Sequence, residues 1–287
     1  MNFTSPISGN GRRQLGSALV LTLALQAAAV LIWPVAAGGE TPRMAVATSY
    51  LESAVQDVLG DPAPVLRLAE PGTCPGHFDI RPSQAAELRR CQVLLRFDFQ
   101  SSLDSVLEGT SDPSRVVSIS IRRGLCLPDS YLAACRQVST QLVAAKWLAR
   151  SQADARLDAI AARLIALSQD ATNRVAAAGL RGRPVLASAH QKDFCEWLGL
   201  RVVGAFSAAD TAGVRQIDDA VKAGRLAGAQ VVIANLPEGR RAADALAEVL
   251  RAKVAVFGNF PLVKAGRVSF DEMLRENVET LLEAAKP

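Results

Sequence analysis

The spacing of apolar residues changes repeatedly along this chain, and the changes predict alternating strands and helices. Short apolar runs such as QVLLRFDF and AQVVIAN are typical of buried strands. Between such runs the apolar residues recur at helical spacing, as in SYLESAVQDVLG. Strands that alternate with helices of this length indicate a mainly parallel sheet with helices on its faces. The alternation occurs once before residue 150 and again after residue 179.

One segment, residues 151–178, has a different pattern. Its apolar residues lie on one face of a helix, and it contains no proline or glycine. At about 1.5 Å per residue it would be roughly 40 Å long. We therefore predict an α/β protein of two lobes, residues 40–150 and 179–287, each a mainly parallel sheet flanked by helices. The long helix joins the two lobes.

Residues 1–37 have the composition of a secretory signal. Arg12 and Arg13 precede the apolar run Leu15–Trp33, which is followed by the small residues of PVAAG. We predict cleavage near Ala37, which places the protein outside the cytoplasm, in the periplasm or its equivalent. The apolar run is also nearly long enough to cross a bilayer, so an uncleaved N-terminal anchor is the alternative.

Composition narrows the possible partners and the redox state. The chain is 49% hydrophobic and 21% charged, as globular proteins are, with a net charge of +4. Removal of the two signal arginines leaves about +2, which gives no indication of nucleic-acid binding. All five cysteines follow the predicted signal, in a compartment where disulfides persist. Because their number is odd, at least one is a free thiol, a metal ligand or a link to another chain.

Candidate functional residues follow the predicted strands. The chain has only two histidines. His77 lies in the loop AEPGTCPGHFDIRPSQ after the second strand, and His190 begins the segment HQKDFCEWLG. Ligands of open α/β sheets bind at the carboxyl ends of strands, so a cleft between the lobes is the expected site. Asp98 ends a strand at this edge, where a capping role competes with a supporting contact in the cleft.

The order and spacing of these segments resemble the metal-binding periplasmic components of zinc and manganese ABC importers, the cluster A-I solute-binding proteins. The resemblance covers a Val-Ala-Thr first strand, the proline-rich loop with the helix and strand after it, the long helix, and SAHQKDFCEWLGLRVVGAF. It implies a protein that captures a divalent metal, zinc first, in the inter-lobe cleft. It also implies a membrane ABC permease as partner and no enzymatic activity. We further expect a monomer that does not bind nucleic acid.

The resemblance also implies a ligand set. The family usually binds metal through three histidines and a carboxylate, two ligands from each lobe. Carried over residue by residue, this makes His77 and His190 ligands, although His77 lies one place beyond the family's position. The second histidine of the first lobe is absent, and Cys126 stands nearest to its place.

The family has acidic residues after its last strands, and this sequence has Asn235 and Asn259 at those positions. Glu238 is therefore the candidate carboxylate, with the two amides as supporting groups. An ordinary acidic residue at a helix N-terminus is the alternative for Glu238. A Cys126 thiolate would supply the missing negative charge, and a ligand set of two histidines and a cysteine suits Zn²⁺ better than Mn²⁺.

Three alternatives stand beside this interpretation. Cys126 could form a disulfide with Cys74 or with Cys135 instead of binding metal, and Cys74 could also support the metal site. The same scaffold could bind a metal chelate of the siderophore or corrinoid type through the two histidines. An exported enzyme with Cys126 or Cys74 as nucleophile is a third class, but no oxyanion-loop motif accompanies either cysteine.

Overall fold

The computed structural model describes residues 44–60, 64–73, 79–107, 115–208 and 213–286. These residues form two parallel four-stranded sheets flanked by helices, with one long helix between them, which confirms the predicted fold class. The predicted signal and residues 74–78, which include Cys74 and His77, lie outside the described residues. None of the described helices combines the length and apolar composition needed to span a bilayer.

The first lobe alternates strands and helices as predicted. Its elements are β1 (Met44–Val46), α1 (Ser49–Leu59), β2 (Val65–Arg67), α2 (Pro82–Leu88), β3 (Val93–Phe97), β4 (Val116–Ile119) and α3 (Pro128–Ala144). The sheet order is β2–β1–β3–β4 and all pairs are parallel. Thr48 caps α1 by accepting a hydrogen bond from the Leu51 amide. A 3₁₀ segment, Asp98–Leu107, follows β3 and was not predicted.

The long helix α4 (Arg150–Ala177) lies between the lobes. Its predicted apolar face is buried, with Ile160, Leu164 and Leu167 in the same core as residues of both sheets. The other face is polar, which accounts for the low apolar content of so long a helix. The helix is therefore packed against both lobes along its length.

The second lobe repeats the alternation. Its elements are β5 (Pro184–Ser188), α5 (Lys192–Trp197), β6 (Arg201–Phe206), α6 (Val214–Ala227), β7 (Val231–Asn235), α7 (Arg241–Leu250), β8 (Lys253–Phe257), the antiparallel pair β9 (Val263–Lys264) and β10 (Arg267–Val268), and α8 (Phe270–Ala284). The main sheet has the order β6–β5–β7–β8, all parallel. Ser269 caps α8 through the Glu272 amide. The β9–β10 pair is the element that the sequence pattern did not predict.

Aromatic rings join the lobes where α8 begins. The ring of Phe270 stacks on that of Tyr131 from α3, with centroids 4.1 Å apart and planes 10° from parallel. The Phe270 amide donates a hydrogen bond to the Ser53 hydroxyl, which also bonds the Tyr131 hydroxyl at 2.8 Å. Phe270, Tyr131 and Tyr50 are all buried and in mutual ring contact. The start of α8 is thus held by the first lobe as well as by the second.

A charged cluster surrounds these rings on the side of the long helix. Arg163 of α4 forms a bidentate ion pair with Asp57 of α1 and lies 3.3 Å from Asp271 of α8. Asp57 also accepts a hydrogen bond of 2.7 Å from Tyr131. Burial raises the pKa of the Asp271 carboxyl above its usual range, against the opposing effect of Arg163. The three helices are therefore linked by polar contacts as well as by the shared core.

Candidate metal site

The carboxyl ends of β5 and β7 bring two predicted ligands together. The strands are adjacent and parallel, with Leu186 paired to Val232. His190 lies in a 3₁₀ turn directly after β5, and Glu238 ends a 3₁₀ turn directly after β7. The Nε2 atom of His190 lies 3.2 Å from Oε1 of Glu238. These two side chains, one acidic and one imidazole, form a single site at the predicted edge of the sheet.

Ser188 orients the carboxylate of this pair. It is the last residue of β5 and is completely buried. Its hydroxyl donates a 2.6 Å hydrogen bond to Oε2 of Glu238 and accepts one of 3.3 Å from the His190 amide. One carboxylate oxygen is thus fixed by Ser188, and the other faces the imidazole. The Glu238 side chain is 16% exposed and that of His190 66% exposed, so the pair is supported from behind and open to solvent in front.

Ser188 was missed at the level of sequence, because its role depends on a hydrogen bond to Glu238, fifty positions away. Its one sequence signal is its position near the end of the predicted strand PVLASA, two residues before His190.

The separation of His190 and Glu238 suits a divalent metal ion. Two ligands of a tetrahedral zinc ion, with bonds of about 2.0–2.2 Å, lie about 3.3–3.6 Å apart. The observed Nε2–Oε1 distance is 3.2 Å. A zinc ion can therefore bind between these two atoms with little movement of either side chain.

Neutral amides end or follow β5, β7 and β8 at the same edge of the sheet. The amide of Gln191 donates a 3.0 Å hydrogen bond to Oδ1 of Asn235, and both residues are buried. Asn259, just after β8, is also buried, and its Oδ1 accepts no hydrogen bond within the described chain. The two asparagines predicted as supporting groups thus end neighbouring strands, and they add no charge to that of Glu238.

Cys126 is buried between the lobes among neutral groups. Its sulfur lies 3.2 Å from the Gly258 carbonyl oxygen and 3.5 Å from Oε1 of Gln191, and Nδ2 of Asn277 lies 3.9 Å away. Burial raises the pKa of its thiol to about 12. Cys126 and Cys135 are both free thiols, so the alternative of a disulfide between them is wrong. The contacts of Cys126 join the start of α3 to the second lobe.

The other predicted residues are placed as follows. Asp98 accepts hydrogen bonds from the Phe99 amide and the Ser120 hydroxyl, which is a capping arrangement. Within the described residues, no three side chains of His, Cys, Asp or Glu are grouped closely enough to hold a metal ion. Cys126 is therefore not assembled with His190 and Glu238 in this arrangement. Cys74 and His77 lie outside the described residues.

Raising the pH above 9 should weaken the fold through Cys126. Its thiol keeps its proton in the folded state up to a pKa of about 12, whereas the unfolded chain loses it near 9.0. The free energy of unfolding therefore falls with pH in this window, and it is unaffected by this thiol below pH 9. Between about pH 8 and 10.5 the free energy of unfolding should fall by about 2 kcal/mol less in Cys126→Ala than in the unmodified protein. Urea unfolding at both pH values measures it, and equal losses in the two proteins would contradict it.

Comparison with known proteins gives a family match over most of the chain. The model of the family described as zinc-uptake complex component A, periplasmic (ZnuA), matches residues 44–284. No curated protein sequence gives a significant match. The match includes both sheets, the long helix and the His190–Glu238 pair.

Solved structures share the fold at low sequence identity. The Mn-bound periplasmic metal binding protein from Candidatus Liberibacter asiaticus has a TM-score of 0.72 at 9% identity, with 85% of this chain and 99% of that chain covered. Its Cd-bound form gives 0.72 at 10% identity with the same coverage. The crystal structure of ZnuA gives 0.69 at 14% identity, covering 86% of this chain and 100% of that one. The chain therefore belongs to the zinc-uptake complex component A family of periplasmic metal-binding proteins, which are solute-binding components of transport systems and not enzymes.

Proposed function

We propose that the protein captures a divalent metal ion, zinc first, between its lobes and delivers it to a membrane ABC permease. The observation that carries this proposal is the His190–Glu238 pair, 3.2 Å apart at the carboxyl ends of adjacent strands. The pair supplies the ligands of the second lobe. His77, in the loop after β2, supplies a ligand of the first lobe. Imidazole and carboxylate ligands together suit zinc.

Cys126 is the proposed fourth ligand, and its coordination requires a change from the described arrangement. A metal ion has to displace the thiol proton together with the contacts to Gly258 and Gln191. Metal binding provides the driving force, because a coordinating thiol is deprotonated outright. In the cobalt-substituted protein, a thiolate-to-metal charge-transfer band that Cys126→Ala removes would support this ligand. Absence of the band from the cobalt-loaded protein would exclude it.

Isothermal titration calorimetry of the purified exported protein tests the metal assignment. We expect zinc to bind more tightly than about 10 μM, with Mn²⁺ and Cu²⁺ titrated for comparison. Failure of all three ions to reach that affinity would reject free metal as the ligand. Mass spectrometry of the same preparation determines whether the N-terminus is cleaved near Ala37 or retained, and its sedimentation tests the proposed monomer.

Ser188→Ala should lower zinc affinity roughly tenfold, because Glu238 loses the hydrogen bond that orients it. Ser188→Thr keeps the hydroxyl and should restore most of the affinity. The melting temperature of the metal-free protein controls for damage to the buried end of β5. If Ser188→Ala binds zinc as tightly as the unmodified protein does, Ser188 has no role in positioning the carboxylate.

A metal chelate is the second candidate ligand, and the small number of ionisable ligands at the site favours it. Within the described residues, no third His, Cys, Asp or Glu side chain is grouped with His190 and Glu238. Gln191, Asn235 and Asn259 offer amide groups, while Glu238 is the single carboxylate in the pair. A siderophore or corrinoid brings its own ligands and needs fewer from the protein. Thermal unfolding with free metal and with loaded chelates discriminates the two, since only a bound ligand raises the melting temperature.

A further inference from the structure

The second lobe has a basic edge on the side away from the metal pair. In a parallel sheet all amino ends lie at the edge opposite to the carboxyl ends. Arg183 directly precedes β5 and Arg201 begins β6, and the Arg201 amide donates a 2.9 Å hydrogen bond to the Arg183 carbonyl. Arg181 lies at the same edge, with its Cγ 3.4 Å from where a Cβ on Gly199 would stand. Three arginines thus share the amino ends of two adjacent strands.

The last turns of α6 and α7 lie at this edge too. A Cβ on Gly224 would stand 2.8 Å from Cδ1 of Leu250, so the ends of the two helices are in direct contact. Each helix then returns to the amino end of the following strand, β7 or β8. The exposed side chains of these two helix ends include Arg225, Leu226, Val249 and Arg251, with one acidic residue, Glu248.

We call this surface the basic end; it consists of Arg181, Arg183, Arg201, Arg225 and Arg251 with Leu226 and Val249. All five arginines are exposed, and none forms an ion pair with a described carboxylate. Leu226 is 92% exposed, more than any other large hydrophobic side chain of the described chain, and Val249 is also exposed. Glu248 is the acidic neighbour, three residues before Arg251. Exposed apolar tips surrounded by arginines are characteristic of surfaces that bind at the lipid headgroup level.

We propose that the basic end docks the protein on a membrane surface that contains anionic phospholipids. The guanidinium groups pair with lipid phosphates, and Leu226 and Val249 enter the boundary between headgroups and acyl chains. Because the basic end lies at the amino ends of the strands, a docked molecule keeps the edge with His190 and Glu238 turned away from the lipid. Metal uptake and membrane docking therefore use separate surfaces.

Co-sedimentation of the purified exported protein with vesicles tests this proposal. The vesicles are pure phosphatidylcholine or phosphatidylcholine with about one-third phosphatidylglycerol. The readout is the ratio of binding to the anionic vesicles over binding to the neutral vesicles. A retained N-terminal apolar run would contribute equally to both and therefore leaves this ratio unchanged. The test variants are Arg183→Gln with Arg201→Gln, and Leu226→Gln. The control is Arg89→Gln with Arg90→Gln, which removes the same charge from an exposed turn of the first lobe.

We expect a clear preference of the unmodified protein for the anionic vesicles. Loss of the two arginines of the basic end should reduce this binding roughly twenty-five-fold, at about fivefold for each residue. Leu226→Gln should reduce it roughly fivefold, and the control pair should change it much less. Equal binding to both vesicle types, or equal loss in the control and test pairs, would overturn the proposal. Zinc affinity should be the same in all variants, so a failure of the metal assignment is seen separately.

Discussion

Replacing His190 with alanine should lower zinc affinity roughly a hundredfold or more. The substitution removes one of the two proposed ligands, whose side chains already lie at a suitable separation, 3.2 Å apart. Loss of a hydrogen-bonding partner outside the coordination shell costs about ten- to a hundredfold in metal affinity, and a direct ligand should cost at least the upper figure. Glu238→Gln should have a comparable effect, because it removes the charge of the pair while keeping its shape. Calorimetric titration with zinc measures both.

The folded state should tolerate His190→Ala, and the melting temperature of the metal-free protein checks Glu238→Gln, because that side chain is only 16% exposed. The His190 side chain is mostly exposed, and surface substitutions usually change stability by less than about 0.5 kcal/mol. Glu196→Gln is a matched control, since Glu196 is a half-exposed acid of α5 in the same lobe. It should leave zinc affinity unchanged. Unaltered zinc binding in both His190→Ala and Glu238→Gln would show that the metal lies elsewhere.

The periodicity of the sequence was sufficient for most of the fold. Buried parallel strands appear in the sequence as short apolar runs, and the buried face of α4 appears as apolar residues at helical spacing. Both patterns arise because these elements bury side chains at regular intervals. The 3₁₀ segment Asp98–Leu107 and the short β9–β10 pair were missed. Both are shaped by turns and local hydrogen bonds, which produce no period in the sequence.

The site was predictable in part, and the limit is physical. His190 and Glu238 were predicted from the family resemblance and from their positions after strands, and the structure places their side chains 3.2 Å apart. Ser188 was not found, since its role depends on a hydrogen bond to a residue fifty positions away. Cys126 was interpreted from its place before a helix, whereas its environment is set by Gly258 and Gln191 of the other lobe. Contacts between distant segments of this kind are not visible in local pattern.

The lobes share one core, and this bears on how the site is supported. Residues of α1, α3, α4 and α8 belong to a single hydrophobic cluster that also includes strands of both sheets. Asn277 of α8 donates a hydrogen bond to the Gly258 carbonyl, which in turn lies against Cys126. The packing at the start of α8 and the polar contacts behind the site are therefore parts of one connected region.

Phe270→Ala should lower the free energy of unfolding by about 3–5 kcal/mol. The substitution leaves a cavity in a buried aromatic cluster and removes the stacked contact with Tyr131. Because Phe270 joins α8 to the first lobe, the loss falls on the contact between the lobes. In a chain of this size we expect the melting temperature to fall by about 10 °C. Phe270→Leu retains most of the volume and should cost about 1–2 kcal/mol.

Phe99→Ala provides the matched control for this loss. Phe99 is stacked on Phe97 with centroids 5.1 Å apart, but it is 54% exposed. Its removal deletes an aromatic pair without opening a cavity, so it should cost less than about 1 kcal/mol. Urea unfolding of the three variants separates cavity formation from ring stacking. Equal costs for Phe270→Ala and Phe99→Ala would mean that α8 is not held by the first lobe through this ring, and that the lobes are joined mainly by α4.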